Sequence, residues 1–194
     1  MSEQTTKGHL ALVGTVLAGV VDGNSPGYVS EVKAAISPLT ETRAYARTEK
    51  HLAGYGRIGA VGARRAAAIA ACASKASASA SLRGDGLRIG HALRALHRAE
   101  TGVDPGDKPN AITTSVGALP MLDVENAAQI IAGLVSRCDH RGIHVSFVDV
   151  ASTLTYWGDG ITESSRETRR RVVADYYRPP RPVSNDHPGT EPAA

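Results

Sequence analysis

Basic side chains recur at helical spacing between Leu87 and Arg98, and their chemistry suits contact with phosphate groups. At about 100° per residue, this segment forms a helix with one apolar and one basic sector. The apolar sector holds Ile89, Leu93 and Leu96, and the opposite sector holds Arg88, His91, Arg94 and Arg98. Such cations neutralise phosphates along a nucleic-acid strand, which makes binding salt dependent. The same pattern also fits an exposed helix face whose arginines only interact with water.

The net charge of the chain hides a strong polarity along the sequence. The 194 residues carry 22 Lys and Arg against 19 Asp and Glu, a sum of +3. Residues 57–98 alone sum to +7, residues 99–163 to −6 and residues 164–178 to +3. We therefore expect a basic side that meets phosphates and an acidic side that faces protein or water. The further basic candidates are Arg64, Arg65, Lys75, Arg166, Arg169 and Arg170.

A glycine motif between Gly54 and Gly59 has the GxGxxG spacing of dinucleotide-binding loops. That fingerprint follows a β-strand within a βαβ unit, whereas the residues before Gly54 are charged and helix-like. We interpret the motif as a flexible connection. The sequence also lacks the GxxxxGK[ST] pattern of P-loop NTPases, and we expect no nucleotide and no other cofactor.

The cysteines and histidines do not form a pattern typical of a metal site or of catalysis. Cys138, His140 and His144 are close in sequence, but no CxxC or HExxH pair supplies further ligands. Cys138 continues an apolar helical stripe, which predicts a buried thiol. The seven histidines form no recognisable triad with a nucleophile, so we expect neither a metal nor an enzyme activity.

Composition indicates a compartment and a mode of contact. Two cysteines are too few for a disulfide framework, which predicts reduced thiols and a cytoplasmic protein. The apolar stretch Leu10–Val21 is shorter than the ~20 residues of a bilayer span, so we expect no membrane association. Aromatic residues make up only 4% of the chain, which disfavours stacking of bases on the protein. Tyr156 and Trp157 are expected to pack in the core beside Leu154.

Apolar periodicity predicts an all-α fold, a compact bundle of about seven to eight helices. The β-branched stretch Ile143–Phe147 is the best exception. Ala60–Ala80 is expected to form one long helix because of its alanine content, with Ile69, Cys72 and Ala76 facing inward. The other expected helices cover His9–Val21, Pro26 to Ser37, Leu87–Arg98, Asp123 to Gly142, a segment capped by Ser146, and Arg166–Tyr177 behind a capping box of Ser164 and Glu167.

One helical domain is expected over residues 7–178, with a candidate junction between two small helical subdomains at residues 101–110. Residues 179–194 hold half of the prolines of the chain, which predicts a disordered tail.

The order of these features resembles the CasB family, the small subunit of the type I-E CRISPR effector complex Cascade. One similar segment is Leu87-Arg-Ile-Gly-His-Ala-Leu-Arg-Ala-Leu, preceded by a helix containing Arg64-Arg65-Ala-Ala-Ala-Ile-Ala-Ala-Cys72. Another is Ile143-His-Val-Ser-Phe-Val-Asp-Val-Ala-Ser-Thr-Leu-Thr-Tyr-Trp157-Gly158, followed by a charged helix that ends at Tyr176 and Tyr177. The resemblance covers about Gly56 to Tyr177.

The resemblance implies a non-catalytic all-α subunit, present as two copies in a crRNA-guided antiviral complex. Its implied partners are the other Cascade subunits, crRNA, and the target and displaced DNA strands of the R-loop. The alternative is a helical protein–protein adaptor in which the acidic region 99–163 makes the contacts and the arginines only solvate the surface.

Overall fold

The computed structural model describes the backbone of residues 2–179 and the side chains of residues 8–179. The predicted tail therefore lies outside the described residues, apart from Pro179. The described part contains ten α-helices: α1 (Ser2–Asp22), α2 (Pro26–Lys33), α3 (Thr42–Leu52), α4 (Arg57–Ala70), α5 (Lys75–Arg83), α6 (Ile89–Thr101), α7 (Ala111–Ala118), α8 (Val124–His140), α9 (Phe147–Thr155) and α10 (Glu163–Tyr177). Two 3₁₀ turns, Ala34–Ile36 and Leu119–Met121, follow α2 and α7. The all-α class is confirmed, but the expected number of helices is too low.

The alanine-rich segment forms two helices, so the prediction of one long helix is wrong. Ser74 is the N-cap of α5, and its hydroxyl accepts a hydrogen bond from the Ser77 amide. Asp139 of α8 holds this turn by accepting hydrogen bonds from the Ser74 amide at 2.8 Å and from the Ser74 hydroxyl at 2.6 Å. Alanine favours helix formation but does not determine where a helix ends. The capping Ser74 allows a new helix to begin after a turn in the chain. As a result, Ile69 is buried but Cys72 and Ala76 are exposed.

The helix α4 lies at the centre of the fold, in contact with α1, α8 and α9. Small residues allow this close packing. A Cβ at Gly62 would lie 2.0 Å from the carbonyl oxygen of Leu154 in α9, and one at Gly59 would lie 3.3 Å from that of Thr155. The glycine motif of the sequence thus joins α3 to α4, and its last glycine packs against α9.

A single large hydrophobic core contains residues from all parts of the described chain. Trp157 is fully buried, as predicted, and its indole Nε1 donates to the Leu122 carbonyl at 2.9 Å, whereas Tyr156 is 41% exposed. The core includes Leu96 and Ile112, on either side of the loop 101–110. The subdomain junction at that loop stays a prediction.

A short backbone pairing positions the start of α6. Leu87 and Val145 form an isolated parallel bridge, in which the Leu87 amide donates to the His144 carbonyl at 2.9 Å and the Ser146 amide donates back to Leu87 at 2.7 Å. The β-branched stretch noted in the sequence supplies this bridge, the only one within residues 2–179. Among the described helices, none combines the length and apolar character that crossing a membrane requires.

Candidate nucleic-acid interface

The ten basic residues predicted to contact nucleic acid divide into a buried and a surface group. Four are buried: Arg64, Arg65, Arg94 and Arg169. Six reach the surface to different degrees: Lys75, Arg88, His91, Arg98, Arg166 and Arg170. Phosphate binding requires a solvent-accessible cation, so the two groups differ in the contacts they can make.

Arg64 and Arg65 belong to a buried ion-pair cluster at the centre of the fold. Both bind Glu41, which accepts from Arg64 Nε at 2.8 Å and from Arg65 Nη2 at 2.7 Å. Arg65 is only 1% exposed and also donates to the Ala35 carbonyl. Arg64 has a second partner, Glu49, at 2.7 Å. Withdrawing either guanidinium from Glu41 would leave an unpaired buried charge, so these arginines serve the fold.

Arg94 does not face solvent, contrary to the basic sector drawn from the sequence. The helix α10 covers this side of α6, and the close contact depends on Gly90, where a Cβ would lie 2.5 Å from the Val172 carbonyl oxygen. Arg94 Nη1 donates to the Tyr177 carbonyl at 2.9 Å, and Nη2 pairs with Asp104 at 2.7 Å. The apolar sector of α6 is buried as predicted. A second helix on the opposite face is a tertiary contact that the periodicity of α6 alone does not reveal.

Arg169, in the middle of α10, is held by backbone carbonyls of the loop after α9 and of the Leu119–Met121 turn. Its three guanidinium nitrogens donate to Trp157, Pro120 and Gly158 carbonyls at 3.1, 2.8 and 2.9 Å, respectively. The guanidinium also lies 5.2 Å from the Trp157 ring centroid. Burial lowers the pKa of Arg169, although Asp159 and Asp123 act in the opposite direction. With each of its three nitrogens donating to a backbone carbonyl, Arg169 anchors the loop after α9.

The surface residues at and just before α6 have carboxylate partners from α9, α10 and the loop after α6. Arg88 Nε lies 3.6 Å from Asp149 and 3.4 Å from Asp175, and half-buried His91 is 4.0 Å from Asp175. Arg98, at the other end of α6, lies 3.4 Å from Asp104. Each member of the predicted basic row therefore lies beside a carboxylate, from Asp149 and Asp175 far along the chain or from Asp104 in the next loop.

A groove between the Leu119–Met121 turn and α10 brings three predicted residues together. It has a volume of about 560 Å³, and Arg166, Arg169 and Arg170 all line it. Arg166 pairs with Glu163 at 3.1 Å, and Arg170 pairs with Glu167 at 2.9 Å. The side chains of both arginines and both glutamates are more than half exposed. The helix itself begins at Thr162, whose side chain accepts from the Ser165 amide, so the predicted cap at Ser164 is wrong.

The same groove has an apolar wall at the surface. Met121 is 85% exposed and Ile161 is 75% exposed, and both line the groove beside Val173. Lys75 does not belong to this surface: it begins α5, and its ammonium nitrogen lies beside Gly23, after the end of α1. The structure thus groups the α10 arginines and the α6 residues separately and leaves Lys75 alone.

The cysteine and histidine residues near Cys138 and the glycine motif at Gly54 lie in surroundings that explain them structurally. Cys138 is fully buried with its Sγ 3.8 Å from the Ala92 carbonyl oxygen, and burial raises its pKa to about 12. His144 Nδ1 instead lies 3.0 Å from the Ser77 hydroxyl. Across the described residues, no three histidine, cysteine or acidic side chains are grouped as metal ligands would be. The segment before Gly54 is the helix α3, so the strand of a dinucleotide fold does not precede the motif.

A family model for the CRISPR-associated protein Cse2 matches residues 30–177, well over half of the chain. The chain belongs to the Cse2 family. This family is the small subunit of type I-E Cascade, which takes part in CRISPR defence and has a structural, non-catalytic role. The resemblance to CasB noted in the sequence is thereby confirmed. No curated protein and no solved structure matches the chain.

The region that matches Cse2 contains a further basic surface that the sequence reading missed. Arg43, Arg47 and Lys50 are exposed on α3, spaced four and three residues apart. That spacing is itself a sequence signal for a single helix face. These residues belong to the charged, helix-like segment before Gly54 and precede the strongly basic segment 57–98, where the predicted contacts begin.

Proposed function

We propose that this Cse2-family subunit contacts the sugar-phosphate backbone of nucleic acid in Cascade and thereby stabilises the R-loop. Forming an R-loop exchanges one duplex for another of similar stability, so contacts from protein to the strand backbones can shift the balance. Such contacts need accessible cations but no reading of bases.

The observation that carries the proposal is the exposed arginine pair on α10. The side chains of Arg166 and Arg170 are 56% and 63% exposed, and their glutamate partners are exposed on the same helix. Exposed ion pairs of this kind contribute about 0–1 kcal/mol, so a phosphate can replace the carboxylate at little cost. The buried pairs of Arg64 and Arg65 could not be exchanged in this way.

The distribution of aromatic residues supports contact with the backbone over contact with bases. Trp157 and Phe147 are buried in the core, and Tyr45, Tyr156 and Tyr177 are only about two-fifths exposed. Proteins that bind single strands by stacking present successive accessible rings. Of the ten predicted side chains, those exposed to solvent are the proposed contacts: Lys75, Arg88, Arg98, Arg166 and Arg170.

The proposal includes the setting in which these contacts occur. The partners are crRNA, the target and displaced DNA strands, the other Cascade subunits and a second copy of this chain. The complex acts in the cytoplasm.

The test compares two charge-matched double variants of the full chain. Arg166→Gln/Arg170→Gln removes the α10 pair. Arg83→Gln/Arg137→Gln removes two ion-paired arginines on α5 and α8, the first exposed and the second partly exposed. Fluorescence polarisation measures binding of single-stranded DNA over a salt series. The plot of log K against log [salt] has a negative slope, of about 0.7 per phosphate contact. The α10 variant loses two contacts, so the magnitude of its slope should be smaller by about 1.4. The control should change it less.

Equal behaviour of the two variants would contradict the α10 contact. Binding by the unmodified chain without a steep salt dependence would contradict the electrostatic mechanism as a whole.

A protein–protein adaptor is the second candidate, favoured by the exposed apolar side chains in the same groove. Met121 and Ile161 lie beside a set of charges that balance, Arg166 and Arg170 against Glu163 and Glu167. Exposed apolar surface with balanced charge is typical of a protein contact. Under this hypothesis, Met121→Ser/Ile161→Ser prevents assembly with the other Cascade subunits in native mass spectrometry, while DNA binding by the unmodified free chain is absent.

A further inference from the structure

The outer face of α3 presents three basic side chains in a row. Arg43, Arg47 and Lys50 are all exposed, and their spacing places them within about 60° of one another around the helix axis. The opposite side of α3 is formed by Ala44, Thr48 and Leu52, which are buried. We call Arg43, Arg47 and Lys50 the α3 row. Because the buried side faces the core, the α3 row must face solvent.

One acidic side chain accompanies the α3 row. Glu31 of α2 accepts from Arg47 Nε at 2.5 Å, and this contact lowers the pKa of Glu31. Arg43 and Lys50 form no salt bridge with any described residue. The row therefore holds three positive charges against one nearby paired carboxylate.

This balance separates the α3 row from the other basic surfaces. On α10, Arg166 pairs with Glu163, and Arg170 pairs with both Glu163 and Glu167, so two arginines face two glutamates. On the side of α6, acidic side chains lie beside each of the predicted cations, as described above. The α3 row keeps an excess of two positive charges on a single helix face. An excess of positive charge on one face attracts a polyanion directly, whereas at an exposed balanced pair the phosphate must first displace a carboxylate.

The dimensions of the α3 row suit a phosphodiester strand. Arg43 and Lys50 are seven residues apart, which is about 10 Å along a helix axis at 1.5 Å per residue. One strand of a duplex rises about 3.4 Å per phosphate, so the row spans about three phosphates. The Arg47 guanidinium contacts α2, where Glu31 accepts its hydrogen bond and the Tyr28 ring centroid lies 6.0 Å away.

We propose that the α3 row is a track for a nucleic-acid phosphate backbone, separate from the arginine pair on α10. This inference rests on the proposed function, because it assigns a second contact surface for the same kind of ligand. Glu31 competes with phosphate for Arg47, so it weakens binding at this surface.

The experiment measures binding of a 30-nucleotide single-stranded DNA by the full chain over a salt series. Arg43→Gln/Arg47→Gln/Lys50→Gln should reduce the magnitude of the negative slope of log K against log [salt] by about 2, because three contacts at about 0.7 each are lost. Glu31→Gln should have the opposite effect and tighten binding several-fold, because it frees Arg47. A purely structural role of the Glu31–Arg47 pair would not produce tighter binding.

The matched control removes three basic side chains elsewhere, of which Arg83 and Lys108 are exposed and Arg137 is partly exposed, through Arg83→Gln/Lys108→Gln/Arg137→Gln. Circular dichroism and urea unfolding of each variant confirm that the fold is retained. If a DNA-binding chain shows the same slope for the α3 variant as for this control, or no tightening with Glu31→Gln, the α3 row is not a track. That result would leave the α10 contact intact. If the unmodified chain binds no DNA at low salt, the proposed function fails, and this inference fails with it.

Discussion

The substitution Glu41→Gln tests the assignment of Arg64 and Arg65 to the fold. Glu41 is buried and accepts hydrogen bonds from both arginines, at 2.8 and 2.7 Å. Glutamine keeps one acceptor oxygen but loses the negative charge and presents an NH₂ group to the other guanidinium. At least one arginine then remains buried beside a neutral donor.

The loss of unfolding free energy in Glu41→Gln depends on the partners that Arg64 and Arg65 keep. Removing one member of a buried ion pair costs about 3–5 kcal/mol. Arg64 keeps Glu49 at 2.7 Å, but Arg65 keeps only the Ala35 carbonyl and Glu125 at 3.5 Å. These contacts place the expected loss near the lower end of the range, about 3 kcal/mol. With a urea m-value of about 2 kcal/mol per molar, the unfolding midpoint should fall by about 1.5 M.

The assay is urea unfolding followed by circular dichroism, with Glu31→Gln as the control. Glu31 also pairs with an arginine, but this pair lies at the surface, and its loss should cost less than about 1 kcal/mol. If Arg64 and Arg65 were available to phosphate, Glu41→Gln would free them. An unchanged unfolding midpoint together with tighter DNA binding by Glu41→Gln would refute the burial argument.

Three further predictions concern packing, thiol reactivity and pH. Gly62→Ala places a Cβ 2.0 Å from the Leu154 carbonyl oxygen, so calorimetry should show that the free energy of unfolding falls by about 1–3 kcal/mol. Burial raises the pKa of Cys138 to about 12, so a thiol reagent at neutral pH should label exposed Cys72 in the folded chain and reach Cys138 only on unfolding. Burial alone would raise the pKa of Asp139, but hydrogen bonds from the first turn of α5 lower it below its ordinary value. The stability that the Asp139 carboxylate contributes is therefore present above the ordinary pKa and lost as pH falls through the lower folded-state pKa. The difference in urea midpoint between the native chain and Asp139→Asn should shrink below about pH 4.

Each of these predictions has a result that contradicts it. Gly133→Ala, in the middle of α8 with open space around its Cβ, should stabilise the chain by about 0.5–1 kcal/mol. A Gly62→Ala variant as stable as this control would exclude a tight α4–α9 contact. Equal labelling rates for both cysteines in the folded chain would exclude a buried Cys138. A difference between Asp139→Asn and the native chain that is constant from pH 7 to pH 3 would exclude the ionised carboxylate as its source.

The strongly amphipathic helices were predictable from local pattern. Ile89, Leu93 and Leu96 at i, i+4 and i+7 place one face of α6 in the core, and the structure buries all three. Asp123 caps α8 as expected, since its side chain accepts from the Asn126 amide at 2.8 Å. Both features depend on residues within two turns of each other, which is the range over which sequence spacing determines geometry.

The location of the charged residues was much less predictable. Arg65 pairs with Glu41 and Glu125, which are 24 and 60 residues away. Arg94 pairs with the Tyr177 carbonyl, 83 residues away. Four of the ten predicted cations are buried, and the fold shows that the α3 row faces solvent.

The amino-acid sequence by itself determined the all-α class, the buried faces of the amphipathic helices and the family, because these depend on local periodicity and on the order of short motifs. Only the tertiary structure decided which arginines remain available to a phosphate. A guanidinium has the same helical spacing whether it faces water or a buried carboxylate, and the difference is set by whichever distant segment packs against it. In this chain, Glu41 and α10 bury arginines that sequence assigned to the surface, while the α3 row stays open to solvent.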